Sequence, residues 1–173
     1  ITIATTGSEV RVTAANLFAE DLADCGIAST VDIQPAPTFF DINRDGTVFG
    51  RNFDAAVFAW VIGIEPTCEH YLSSEITGPE IERFAGWNGA NVTGLFNEQF
   101  DAACNAGLNA FFGTPEYGEN HTAALNIFAE QRPAIPLFTR PKFMLAIPEL
   151  ANIQPETTQP SGLWNIAEWD LEQ

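Results

Sequence analysis

The run Phe53-Asp54-Ala55-Ala56-Val57-Phe58-Ala59-Trp60 has the length of one strand, is almost wholly apolar, and is followed by Gly63 and Glu65-Pro66. A strand this apolar needs cover on both faces, as in a parallel sheet clothed by helices. The Gly/Pro-broken stretch after Trp60 then becomes a loop at the rim of that sheet, where ligands sit in open α/β folds.

The residues upstream supply the rest of such a unit. Ile1 to Thr5 is short, apolar and β-branched, and Gly7-Ser8 signals a turn with an N-cap. Ala15, Phe18, Leu22 and Cys25 recur at helical spacing, so Cys25 reads as a small core residue, and Gly26 stands where a left-handed residue ends a helix. Ile27, Ser29, Val31 and Ile33 alternate as a strand until Pro35 and Pro37 stop it. This βαβ order predicts a central, mostly parallel sheet flanked by helices. Beyond the glycine-rich stretch that ends at Gly94, Asn97 predicts a helix with Phe100, Cys104, Leu108 and Phe111 inward. Thr114-Pro115 opens another with Tyr117, Leu125 and Phe128 inward. Pro133, Pro136, Pro141 and Pro148 interrupt the last apolar strands, which read as edge or hinge-crossing segments.

A chain of 173 residues with 46% apolar content can bury a core. Asp and Glu outnumber Lys and Arg by 23 to 7, a formal charge of −16 that repels nucleic acid and anionic lipid alike. The hydrolase, phosphate-loop, dinucleotide and zinc-protease motifs are missing, and His70 and His121 stand far apart. Asp41-Ile42-Asn43-Arg44-Asp45-Gly46-Thr47-Val48 matches the first eight positions of a calcium loop, but position twelve is Asn52 and Arg44 sits among the ligands. It reads as a turn. Asn91-Val92-Thr93 and Asn120-His121-Thr122 fit the glycosylation sequon by accident of composition.

Four segments resemble one family, the extracellular solute-binding proteins of the dipeptide, oligopeptide and nickel type that feed ABC importers, in their carboxy-terminal lobe. The first is the Phe53 to Trp60 strand. The second is Asn91-Val92-Thr93-Gly94-Leu95-Phe96-Asn97-Glu98-Gln99-Phe100-Asp101, similar to the family's N-x-x-G-[YLW]-x-N-x-x-[FY]-D. Ile135-Pro136-Leu137-Phe138-Thr139-Arg140-Pro141 and Leu163-Trp164-Asn165-Ile166-Ala167-Glu168-Trp169 complete the set. Asp45 to Asp54 also looks like the family's D-G-x-V-x-G-R-x-F-D turn.

The resemblance implies a lobe of the type II periplasmic-binding-protein kind over residues 1–132. Residues 133–173 would return to pack on an amino-terminal lobe absent from this sequence. The chain opens at Ile1 without Met, and the family's length implies about half of a protein. Its function would be capture of an extracellular solute, peptide or other, between two lobes, followed by delivery to an ABC permease. No bond is made and no cofactor is implied. An extracellular or periplasmic, lipoprotein-tethered location follows. Without the other lobe, apolar surface near Phe138, Phe143, Trp164 and Trp169 is expected to be exposed or covered by self-association. An acidic secreted hydrolase and a non-transport interaction module are the alternatives.

Ligand contacts are expected from Trp60 and the residues after it, with Thr38 and Phe39 reaching the same cleft. Trp60 is open to a second reading as a core cap. In peptide-binding members an Asp after this Trp holds the ligand's amino group; here that position falls on Ile62 or Gly63, neither of which holds an ammonium. Glu65 is the nearest carboxylate. This departure turns the expectation toward a sugar, an opine-like compound, or a cyclic or blocked peptide. Some dipeptide-binding relatives carry a disulfide in the same region, which implies a Cys68–Cys104 bridge; two buried thiols are the alternative.

Overall fold

Ser8 and Gly26 bracket the first helix. A computed structural model describes residues 1–60, 68–79, 84–139, 144–154, 156 and 161–171. Strand β1 (Thr2–Thr6) leads into helix α1 (Glu9–Asp24) through an extended Ser8, whose side chain makes no cap bond. At the other end Gly26 takes φ 77°, with Gly26 N–H donating to the Ala23 carbonyl and Ile27 N–H to that of Leu22, both at 2.9 Å. That is the paired termination a left-handed glycine permits. Cys25 is the cap residue itself and is exposed, contrary to the expected core role, because the chain turns away there. Ala15 on the same helix is fully buried.

Strand β2 (Thr30–Gln34), the short helix α2 (Ala36–Phe39) and strand β3 (Ala55–Val57) follow. The sheet order is β2-β1-β3, parallel throughout, with Ile3 level with both Val31 and Ala55. β1 is the inner strand, which is why Ile3, Ala4 and Thr5 are buried. α1 packs along all three strands and α2 on β1. The expected apolar strand is real but shorter: only Ala55–Val57 pair, each half-buried, since β3 is an edge of the described sheet. Asp54 is spent on a different bond, its Oδ2 accepting from Thr2 N–H at 2.7 Å.

Helix α3 (Glu98–Asn109) is capped by Asn97, whose Oδ1 accepts from Phe100 N–H at 2.9 Å. Helix α4 (Pro115–Gln131) is capped by Thr114, whose Oγ1 accepts from Tyr117 N–H at 3.2 Å. The two pack together around Phe100, Cys104 and Ala124. Buried Gly107 permits the approach, with His121 N 3.6 Å from where a Cβ would stand. Leu108, Phe111 and Leu125 are exposed instead of inward. α3 ends at Asn109, so Phe111 leaves the helical period, and Leu125 lies a hundred degrees or so round α4 from the inward Ala124.

Two compact units result. One is Ile1–Trp60 with Cys68–Ala134; the described residues of the other lie in Ile135–Gln173. The second unit carries an antiparallel pair, β4 (Leu150–Ala151) and β5 (Asp170–Leu171). Residues 133–139 and 144–147 form no strand, a correction to the interrupted strands expected there. Buried Asn165 organises this unit, donating to the Asn152 carbonyl at 2.7 Å and accepting from Trp169 Nε1 at 2.9 Å. Phe138, Trp164 and Leu145 are exposed, as the sequence led us to expect for Phe138 and Trp164; Phe143 lies outside the described residues. Among the described residues no helix is long and apolar enough to cross a membrane.

Candidate functional site

The loop from Asp41 to Asp54 builds the floor beneath the end of β3. Asn43 Oδ1 accepts from the N–H groups of Asp45 and Gly46 at 2.8 and 3.0 Å, a side-chain turn. A Cβ on Gly46 would collide with the Asp41 carbonyl, and one on Gly50 with the Arg44 and Gly46 carbonyls, so both positions require glycine. Between them Val48 is fully buried and its N–H donates to the Phe39 carbonyl at 3.0 Å. Arg51 adopts φ 55° and sets its guanidinium 5.7 Å from the Phe84 ring centroid, while Phe53 packs on the core. Each distinctive residue of this stretch therefore has a structural task.

On that floor stands a chain of rings. Phe39 and Phe40 meet edge-on at 4.8 Å, and both reach Phe58, at 6.4 and 6.2 Å. Phe58 meets Trp60 at 5.4 Å, and Trp60 also meets Phe49 at 6.3 Å and His70 at 5.6 Å. Trp60 is half-buried, three residues beyond β3, at the carboxyl end of a parallel strand. Phe39, expected in the cleft, is instead fully buried among Ala4, Val48 and Val92, whereas its neighbour Thr38 is exposed. Ile62, Gly63 and Glu65 lie outside the described residues.

The chain resumes at Cys68 and runs through two 3-10 turns, Glu69–Tyr71 and Ser73–Glu75. Cys68 is bonded to buried Cys104 of α3, with Cα atoms 5.7 Å apart, so the pairing drawn from the resemblance is formed. Asn91 does as much. Fully buried, its Nδ2 donates to the carbonyls of Tyr71, Leu72 and Leu95 at 3.0, 3.0 and 2.9 Å, and its Oδ1 accepts from Thr93 Oγ1 and Gly94 N–H. Asp101 Oδ1 accepts from Ser73 N–H at 2.9 Å, and Asn97 N–H donates to Ser73 Oγ at 3.2 Å. The Asn91 to Asp101 motif thus clamps the returning segment onto α3. It also rules out glycan attachment at Asn91 in the folded chain.

Two features were not read from the sequence: the His70 ring against Trp60, and the Asn52 amide closing its loop. Their partners are distant or are backbone carbonyls, which no residue pattern records. Tyr71 packs its ring 4.7 Å from that of Phe128, and burial pushes its phenol pKa above the usual value. Among the described residues no group of three or more His, Cys, Asp or Glu is placed to hold a metal ion.

No family model matches the chain, and no curated protein matches it in sequence. Solved structures do. It resembles the oligopeptide-binding protein AppA of Bacillus subtilis, solved with a nonapeptide, at TM-score 0.67 and 19% identity over 99% of this chain and 31% of that one. It resembles NikZ of Campylobacter jejuni, solved with Ni(L-His), at TM-score 0.65 and 17% identity over 97% of this chain and 32% of that one. The fold is therefore that of type II periplasmic binding proteins, α/β with a central parallel sheet flanked by helices. The chain spans about a third of the length of each neighbour.

Proposed function

We propose that the chain is part of the solute-binding component of an ABC importer, and that it supplies one wall of a site that closes around a small solute, peptide or other. The observation that carries this reading is the likeness, over 99% and 97% of the chain, to two proteins solved with a bound solute. In this reading residues 1–132 form the carboxy-terminal lobe, and 133–173 return to an amino-terminal lobe of the same protein, which would cover exposed Ile135, Leu137, Phe138 and Ile147. Trp60 contacts the solute with its indole face, joined by Thr38, Ile62, Gly63 and Glu65. Two lobes close about a hinge, and a permease recognises the closed form. The chain is a binding protein and not an enzyme, works outside the cytoplasm, and is tethered as a lipoprotein.

A thermal-shift screen of the full-length protein against dipeptides, oligopeptides, sugars, opine-like compounds and nickel chelates tests this, with the present chain run alongside. The expected result is a shift in the full-length protein, abolished by Trp60→Ala, and none in the chain alone, which has half the contacts. No shift with any class would overturn solute capture.

A further inference from the structure

Trp60 has a neighbour of different chemistry. Phe49 and Phe58 meet its indole edge-on, at interplanar angles of 74° and 77°, and buttress it. The half-buried His70 imidazole lies 5.6 Å away with its plane tilted by only 43°, so the two rings splay apart as a wedge. His70 is fixed from the other direction. Tyr71 N–H donates to the Cys68 carbonyl at 3.0 Å, Cys68 is bonded to Cys104, and the Asn91 amide grips the Tyr71 and Leu72 carbonyls. Each ring is thus held by a separate core cluster, Trp60 by the one on the sheet and His70, through Cys68 and Tyr71, by the one between α3 and α4.

We propose that His70 is a second solute-contacting residue and that the Trp60–His70 wedge takes a flat apolar group lying beside a carbonyl or carboxylate, as in short peptides with an aromatic side chain. The indole supplies a rigid apolar face, and the imidazole supplies a ring nitrogen to hydrogen-bond the polar group. The disulfide acts here as a positioning device, holding Cys68 and hence the imidazole at the indole. This inference rests on the reading of Trp60 as a solute contact.

The full-length protein is titrated with phenylalanyl-alanine while the imidazole and indole resonances are followed by NMR. The present chain contains two histidines, so His121→Gln assigns the His70 signal, and Trp60→Phe identifies the indole N–H. The expected result is that both signals move together and that His70→Ala weakens binding roughly tenfold, in keeping with one lost hydrogen bond, with His70→Gln recovering part of it. Movement of Trp60 alone, with affinity unchanged in His70→Ala, would overturn the role of His70 and leave Trp60 as a contact. Movement of neither would overturn both.

Discussion

Asn52 turns its side-chain amide onto the carbonyl oxygen of Arg44 at 2.7 Å, and onto that of Gly46 at 3.0 Å. In a calcium loop of this spacing the twelfth residue is a Glu that shares a cation with such oxygens. Here N–H groups satisfy the carbonyls directly. Asn52→Ala is expected to lower stability by about 1 kcal/mol, since the bonds are partly exposed and water replaces them in part. Calorimetric titration of the unaltered chain with calcium should give no saturable heat. A stoichiometric binding curve would show that the loop reopens around a cation.

The Cys68–Cys104 bridge closes a sequence separation of 36 residues, for which chain entropy gives a stabilisation of ~4 kcal/mol. Urea unfolding of the Cys68→Ser/Cys104→Ser variant should show a loss of that order. A thiol reagent applied to the native chain should modify one cysteine, the exposed Cys25. Three reactive thiols under native conditions would contradict the pairing.

Asn91→Ala removes the donor from three carbonyls, those of Tyr71, Leu72 and Leu95, inside the protein. Leaving such groups without partners costs about 1–3 kcal/mol each, only part of it recovered by relaxation. The expected loss is therefore about 3 kcal/mol or more. Hydrogen exchange should place the weakening in the Glu69–Glu75 turns and spare the sheet around Ile3. Uniform loss of protection would mean that Asn91 serves the whole fold.

What the sequence disclosed was local chemistry. Ser8, Gly26, Asn97 and Thr114 mark helix ends because their effect depends on residues no more than five away, and each lies at the end it announced. Long-range choices were not legible. Leu125 and Ala124 compete for one inward direction on α4, and only packing against α3 decides for Ala124. The fold class survives such errors because it depends on the order of elements. The site does not: whether Phe39 or Thr38 meets solvent turns on a single residue of register in a helix of four.

That register has its own test. Phe39 is fully buried in the cluster with Ala4, Val48 and Val92, so Phe39→Ala should cost about 3–5 kcal/mol by emptying a core position. Thr38→Ala, at an exposed site, should stay within about 0.5 kcal/mol. Chemical denaturation of both variants checks the pair; equal, small losses would place Phe39 at the surface.

Tyr71 gives the chain an alkaline limit. Its ring is packed against Phe128, and desolvation raises its pKa above the ordinary 10.0. The neutral phenol is the form the fold accommodates, while the unfolded chain ionises at the ordinary value. The contribution is therefore complete below pH 10.0 and is lost as pH rises toward and through the folded-state pKa. Between those limits stability should fall with a slope of up to about 1.4 kcal/mol per pH unit from this group. Tyr71→Phe should remove that portion of the slope and leave stability at neutral pH nearly unchanged. Tyr117, the other tyrosine, serves as an internal control in the tyrosinate absorbance. Denaturant midpoints measured across the alkaline range for both proteins decide it: parallel slopes would mean that the Tyr71 phenol is as well solvated in the folded chain as in the unfolded one.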